Sequence, residues 1–232
     1  MPRAYDRAIT IFSPEGRLYQ VEYALELVKR GAPIVGVASP EGVVLAANET
    51  PESNLEDPEY FRKIYQLDDH LASAISGLSS DARVLIGQAR VYCQSNKLLY
   101  DEDVDVEILA RRLGDMSQQY TQHAGVRPFG VTMILAGVDV TGPRVITTDP
   151  SGAYRGFKAV AVGRKNDEAN KLLEEHYTDD ISLENAIKLA IRAIKSASDS
   201  EVSKDTVKIA VIPAKTKVFK RLTAEETEGY LG

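Results

Sequence analysis

The apolar run 131–138 is the strongest constraint in this chain, because a strand of that kind is stable only when both of its faces are covered. The shorter β-rich segments 158–163 and 207–213 make the same demand. Helices are available to cover them. At the front, Leu18, Val21, Leu25 and Val28 recur at three- and four-residue spacing until Gly31 and Pro33 stop the pattern, which predicts an amphipathic helix. Segments 34–38 and 43–47 flank Ser39-Pro40-Glu41-Gly42 and predict a hairpin, and 64–67 with 71–76 predict a second strand pair. Ser79, Ser80 and Asp81 offer caps for a helix whose Ala82, Leu85, Ile86, Ala89 and Cys93 share a face, and Leu109, Leu113, Met116 and Tyr120 mark another. Further on, Ser182 can cap a helix with Leu183, Ala186, Ile187, Ala190, Ile191 and Ile194 on one side. Segment 48–59 has five acids, no bases and two prolines, which suits an exposed loop.

The order is thus helix, four strands, two helices, several strands, two helices, strands. It is not the alternation of a doubly wound parallel sheet. It suits an α/β (α+β) four-layer αββα sandwich, with two antiparallel sheets face to face and helices on both outer faces. No repeat or linker interrupts the 232 residues, so one domain is expected, made of a tail (1–12), the first helix (18–30) and a sandwich (34–232).

Composition narrows the function. Lys plus Arg (28) against Asp plus Glu (34) leaves a net charge of −6, which argues against nucleic acid as the main partner. The single Cys93 cannot form an internal disulfide, and no Cys or His cluster has metal-ligand spacing, so neither a metal nor a cofactor is expected. No apolar stretch of signal-peptide type opens the sequence and no run reaches the ~18 apolar residues of a membrane span, so the expected location is the cytoplasm. Phosphate-loop, zinc-protease, nucleophile-elbow and dinucleotide motifs are all missing. His70, His123 and His176 are scattered without a placed carboxylate or nucleophile, and Cys93 lies on an apolar helix face; all four read as packing or surface residues.

The segment Tyr5-Asp6-Arg7 followed by Phe12-Ser13-Pro14-Glu15-Gly16-Arg17-Leu18-Tyr19-Gln20-Val21-Glu22-Tyr23-Ala24 resembles the N-terminal signature of proteasome α subunits, the archaeal type in particular. Ser76-Gly77-Leu78, Asp81-Ala82-Arg83, Gln118-Gln119-Tyr120-Thr121-Gln122, Gly125-Val126-Arg127-Pro128-Phe129-Gly130 and Thr148-Asp149-Pro150-Ser151-Gly152 agree in order and spacing, so the resemblance runs end to end. It implies a sandwich related to N-terminal-nucleophile hydrolases, assembled as a seven-membered outer ring on the β rings of a barrel-shaped protease. That ring would admit unfolded protein to the chamber.

Catalytic β relatives free an N-terminal threonine by cutting a Gly-Thr bond ahead of the first strand. Here the junction is Gly31-Ala32, and none of the 16 glycines is followed by Thr, Ser or Cys. The chain is therefore expected to be non-catalytic. The acidic position near the end of the second strand in those relatives is Asn48 here, and only the lysine position survives, as Lys63. The resemblance implies that Lys63, with Glu22 and Gly77, lines a pocket between neighbouring subunits that takes the C-terminal tail of a hexameric ATPase activator. An ammonium suits the tail's carboxylate. It further implies a gate held by Tyr5, Asp6, Arg7, Pro14 and Tyr23, a channel-narrowing loop at His123, Ala124, Gly125, Val126 and Arg127, and ring assembly through the Leu18, Val21 and Leu25 stripe.

Two departures carry expectations of their own. Only four residues precede Tyr5, so the plug of seven tails is expected to be thin and to leak peptides in its closed state. Asn48-Glu49-Thr50-Pro51-Glu52 replaces a usually basic run, which leaves open a divergent second α type in mixed rings beside the homoheptamer. A stand-alone hydrolase of this fold, or an adaptor outside any assembly, is the remaining alternative. Gly31-Ala32 opposes the first and the apolar helix stripe opposes the second.

Overall fold

The computed structural model describes residues 11–51, 53, 55–57, 60, 62–123, 125–199 and 202–231. Its elements run α1 (Tyr19–Arg30), β1 (Ile34–Ser39), β2 (Gly42–Asn48), β3 (Ile64–Asp68), β4 (Leu71–Gly77), α2 (Ser79–Tyr100), α3 (Val106–Tyr120), β5 (Val131–Asp139), β6 (Gly142–Thr148), β7 (Tyr154–Phe157), β8 (Ala159–Val162), α4 (Asn166–His176), α5 (Leu183–Ala197), β9 (Val207–Pro213), β10 (Lys220–Arg221) and α6 (Ala224–Glu228). The strands form two five-stranded sheets, ordered β10-β9-β2-β1-β8 and β3-β4-β5-β6-β7. Every pairing is antiparallel.

Three apolar layers explain why the sequence alternates so little. Ile134, Ala136 and Val138 of β5 pack between the sheets with Ile34, Leu45 and Ile212, while Met133 and Leu135 of the same strand face α2 and α3. On the other outer face, Val35, Val37, Val44 and Ala46 meet Ile187, Ile191 and Ile194 of α5. A strand buried on both sides loses its polar face, and the expected four-layer sandwich is what these clusters build. The sheets approach closely at Gly36, where an added Cβ would stand 2.7 Å from Ile134 Cγ2 and 3.0 Å from Val145 Cγ1.

Local signals are used much as the sequence predicts. Ser39 accepts from the Glu41 amide at 3.2 Å and donates to the Gly42 carbonyl at 3.2 Å, closing the β1–β2 turn. Ser182 caps α5 by accepting from the Asn185 amide. Thr223 and Glu226 form a reciprocal capping box on α6, a helix whose Thr-x-x-Glu signature the sequence reading passes over.

Three expectations change. Helix α2 starts at Ser79 with Leu78 in the cap position and no side-chain cap, because the Asp81 carboxylate is engaged elsewhere. Segment 48–59 is not exposed at its start: Asn48 closes β2 and Glu49 is buried. Lastly, part of the α1 stripe serves the chain itself, with Val21, Ala24 and Val28 buried and Leu18 and Leu25 half-buried. Among the described residues no helix is long and apolar enough to cross a membrane.

Candidate functional site

A cleft of about 450 Å³ opens where the chain leaves α1 and enters β1. Gly31, Ala32, Lys63, Gly77, Arg164 and Asp199 are among its lining residues. The junction is pinned from both sides: Ser76 Oγ donates to the Val28 carbonyl at 3.2 Å, and the Arg164 amide donates to the Gly31 carbonyl at 2.8 Å. At this junction Ala32 contributes a methyl group and no hydroxyl or thiol.

Lys63 is placed by a buried carboxylate. Glu49 Oε1 accepts the Lys63 amide at 2.6 Å and the Ile64 amide at 3.3 Å, fixing the entry to β3, and Glu49 Oε2 stands 3.7 Å from Arg221 Nη1. The Lys63 side chain is half-buried, and its ammonium has no hydrogen-bond or ion-pair partner among the described residues. Burial pushes its pKa below the ordinary lysine value, and Glu49 restores only part of that loss. A partly desolvated ammonium with no partner among the described residues is a ready donor to an incoming carboxylate. Burial likewise lowers Arg221.

Glu22 belongs to a different cleft. Together with Tyr23, Leu25 and Glu26 it lines a groove of about 1240 Å³ between α1 and the β7–β8–α4 face, and Lys63 is not part of that groove. Its carboxylate is held by the Arg17 guanidinium, with Nε 2.8 Å from Oε1 and Nη2 on Oε2, and this pairing lowers the Glu22 pKa. Arg17 also lies over the Tyr19 ring at 4.9 Å, and Tyr19 stacks with Tyr23 at 6.5 Å between centroids. Ahead of them Pro14 sits in an exposed turn closed by Gly16 N to Ser13 O at 2.8 Å and Ser13 N to Arg17 O at 2.9 Å. The gate residues Tyr5, Asp6 and Arg7 lie outside the described residues.

The loop after α3 is anchored from α2. Asp81 takes both Arg127 guanidinium nitrogens, at 2.6 and 2.8 Å, and the Gly130 amide at 2.8 Å. His123 Nδ1 bonds the Gln119 carbonyl at 2.7 Å, and the Val126 amide donates to the His123 carbonyl at 3.4 Å. Gly125 has φ +85°, while Ala124 lies outside the described residues. Arg127 is the main cause of a depressed Asp81 pKa. Because the folded pKa is lowered, the stabilisation is fully present above the ordinary aspartate value near 4 and is lost as pH falls through the folded one. Asp81→Asn is expected to cost about 1–2 kcal/mol at pH 7, discounted for the exposure of Arg127, and much less at pH 3. Urea midpoints of the two proteins at both pH values check this; an equal gap at both would rule out the ion pair as its source.

Residues 28–212 match the family model described as "Proteasome subunit", and residues 5–26 match the model of the N-terminal signature of α-type proteasome subunits. This chain belongs to the proteasome α-subunit family. It is 48% identical to the proteasome α subunit of Pyrococcus horikoshii, over 98% of this chain and 86% of the relative. Agreement with the protein of the same name from Methanothermobacter thermautotrophicus is 47%, over 98% and 92%, and with that from Methanocaldococcus jannaschii 48%, over 97% and 86%. Within this α-family chain the N-terminal signature covers Pro14, Glu22 and Tyr23, whereas Lys63 and Gly77 lie in the larger matched segment. Sequence reasoning misses Glu49 and Arg221, which support Lys63 from below, and assigns Asp81 to a cap that it does not form. A buried acid in an acid-rich segment leaves no local signal; only the later strand that carries Arg221 reveals it.

Proposed function

We propose that this α-family chain is a non-catalytic structural and gating subunit of the proteasome core particle. It forms the outer ring, a homoheptamer, against the β subunits in the cytoplasm, and it controls the entry of unfolded protein into the proteolytic chamber during intracellular protein degradation. The observation that supports this reading is the Lys63 cleft: an ammonium with no partner among the described residues lines the same cleft as Ala32, the position where this fold's chemistry takes its nucleophile. Such a cation suits a carboxylate, and Ala32 brings no hydroxyl or thiol to that position. Cys93 supplies no substitute, since burial pushes its thiol up to about 12.

In this proposal Lys63 and Gly77 receive the C-terminal tail of an ATPase activator. Glu22, some distance away in its own groove, joins them from a neighbouring subunit, which agrees with a pocket formed between two chains. Tyr5, Asp6 and Arg7 work with Pro14 and Tyr23 as the gate, and the loop His123, Ala124, Gly125, Val126 and Arg127 narrows the channel. Leu18 and Leu25 remain accessible for ring contacts, whereas Val21 is already covered. Val91, Leu98 and Leu99 are further apolar side chains standing exposed on α2, a surface more suited to an assembled subunit than to a solitary one.

A native mass measurement of the purified chain, alone and with its β subunit, tests the proposal. Seven-fold multiples of the 25.4 kDa chain are expected in the mixture. A monomer in both samples would refute ring membership.

A further inference from the structure

At the end of the molecule away from the Lys63 cleft, the β3–β4 turn meets the connection between α2 and α3. Two buried side-chain atoms there lack any hydrogen-bond partner, the only such atoms among the described residues: Asp68 Oδ2 and His70 Nδ1. They face each other at 3.9 Å, and His70 is 1% exposed and Asp68 8%. Buried polar atoms are almost always satisfied, so a facing pair of orphans marks something missing between them.

The tautomer says what that is. His70 Nε2 lies 2.8 Å from the Val104 carbonyl oxygen, which can only accept, so the ring proton is on Nε2. Nδ1 therefore presents a lone pair to a carboxylate oxygen, two acceptors with no donor between them. A proton on Nδ1 would not close the gap, because 3.9 Å is beyond hydrogen-bond reach. Asp68 Oδ1 is occupied by the Asp69 amide at 2.8 Å, which orients Oδ2 toward the imidazole. Asp103, exposed on the connecting loop, completes a set in which one ligand atom from each of the three residues lies within 4.8 Å of the others.

We propose that Asp68, His70 and Asp103 form a site for a divalent transition-metal ion of the Zn²⁺ type, which ties the β3–β4 turn to the α2–α3 connection. One imidazole nitrogen and two carboxylate oxygens are a donor set such ions accept. Two ligands at bonds of about 2.1 Å on a tetrahedral ion stand about 3.4 Å apart, so the Asp68–His70 pair, at 3.9 Å, closes by about half an ångström on binding. Asp103 closes in by rotating an exposed side chain. The outer groups are in place: the Val104 carbonyl fixes the imidazole, and Lys97 Nζ holds Asp103 at 2.9 Å. The open side at Asp103 is the entry path.

The test uses the full-length chain in its assembled state, stripped with a chelator and then titrated with Zn²⁺ alone. One equivalent per chain and a Zn²⁺-dependent rise in the unfolding temperature are expected. Asp103→Asn, on the exposed ligand and so expected to fold, should weaken binding tenfold or more and remove most of the rise. Co²⁺ in place of Zn²⁺ should give a visible absorption band that Asp103→Asn alters. Absence of stoichiometric metal together with unchanged unfolding would show that water fills the gap and would overturn the proposal. So would binding that Asp103→Asn and His70→Asn both leave intact.

Discussion

Gly77→Ala is expected to lower stability by about 4 kcal/mol. Gly77 ends β4 with φ +115°, where an L side chain costs about 1–3 kcal/mol. An added Cβ would stand 2.2 Å from the Gly130 carbonyl oxygen and 3.0 Å from Val131 Cα, and this overpacking adds about 1–3 kcal/mol more. Neither neighbour can yield cheaply. Both are backbone, Val131 pairs with Gly77 in the sheet, and Gly130 O accepts from the Leu78 amide at 2.9 Å. Gly87 in exposed α2 is the control: nothing lies within 4 Å of its Cβ position, so Gly87→Ala should stabilise by about 0.5–1 kcal/mol. Urea unfolding of the two variants checks both signs. Equal midpoints would remove the steric argument. A strong loss means that Gly77 is required by the sheet before any docking tail reaches it, so its presence in the motif Ser76-Gly77-Leu78 has a structural cause.

Lys63→Ala should reduce activator-stimulated proteolysis roughly ten- to a hundredfold, the equivalent of the ~1.5–3 kcal/mol a charge-assisted hydrogen bond contributes. Unstimulated peptide hydrolysis by the same assembly should not change. Stability should barely move either, since the ammonium has no partner to lose among the described residues. The wild-type response to pH provides a second reading. Burial lowers the Lys63 pKa, so the charged form, and with it stimulation, should fade with rising pH before the ordinary lysine value near 10.4 is reached. The linkage sign is the reverse of a paired lysine: the folded state favours the neutral form, so this group's contribution to stability is fully present above the ordinary pKa and lost as pH falls through the folded one. Stimulation unchanged in Lys63→Ala would remove Lys63 from the docking site while leaving ring membership intact.

How far the sequence reaches can be traced residue by residue. The hairpin at Ser39 to Gly42, the α5 cap at Ser182 and the buried face of α2 from Ala82 to Cys93 are all legible, because each depends on neighbours within a few positions. Asp81 reads as a cap because Ser79-Ser80-Asp81 has the right composition for one; its true partners, Arg127 and Gly130, arrive on a loop after two helices. Glu49 reads as solvated for the same reason. Its cation, Arg221, comes from the other end of the chain.

From the sequence alone came the four-layer order, the N-terminal signature with Pro14, Glu22 and Tyr23, and the Gly31-Ala32 junction without a hydroxyl or thiol. The order rests on periodicity and turn chemistry, whereas the signature and the meaning of the junction rest on the resemblance to proteasome subunits. Only the tertiary structure decided that Ala32, Lys63 and Gly77 share one cleft, that Glu22 occupies another, that Val21 is spent inside the chain, and that Asp68 and His70 meet as two unsatisfied acceptors. Each of those depends on which strands pair and which loops cross, and hence on the surroundings that burial and hydrogen-bond partners give a side chain, which a one-dimensional pattern does not contain.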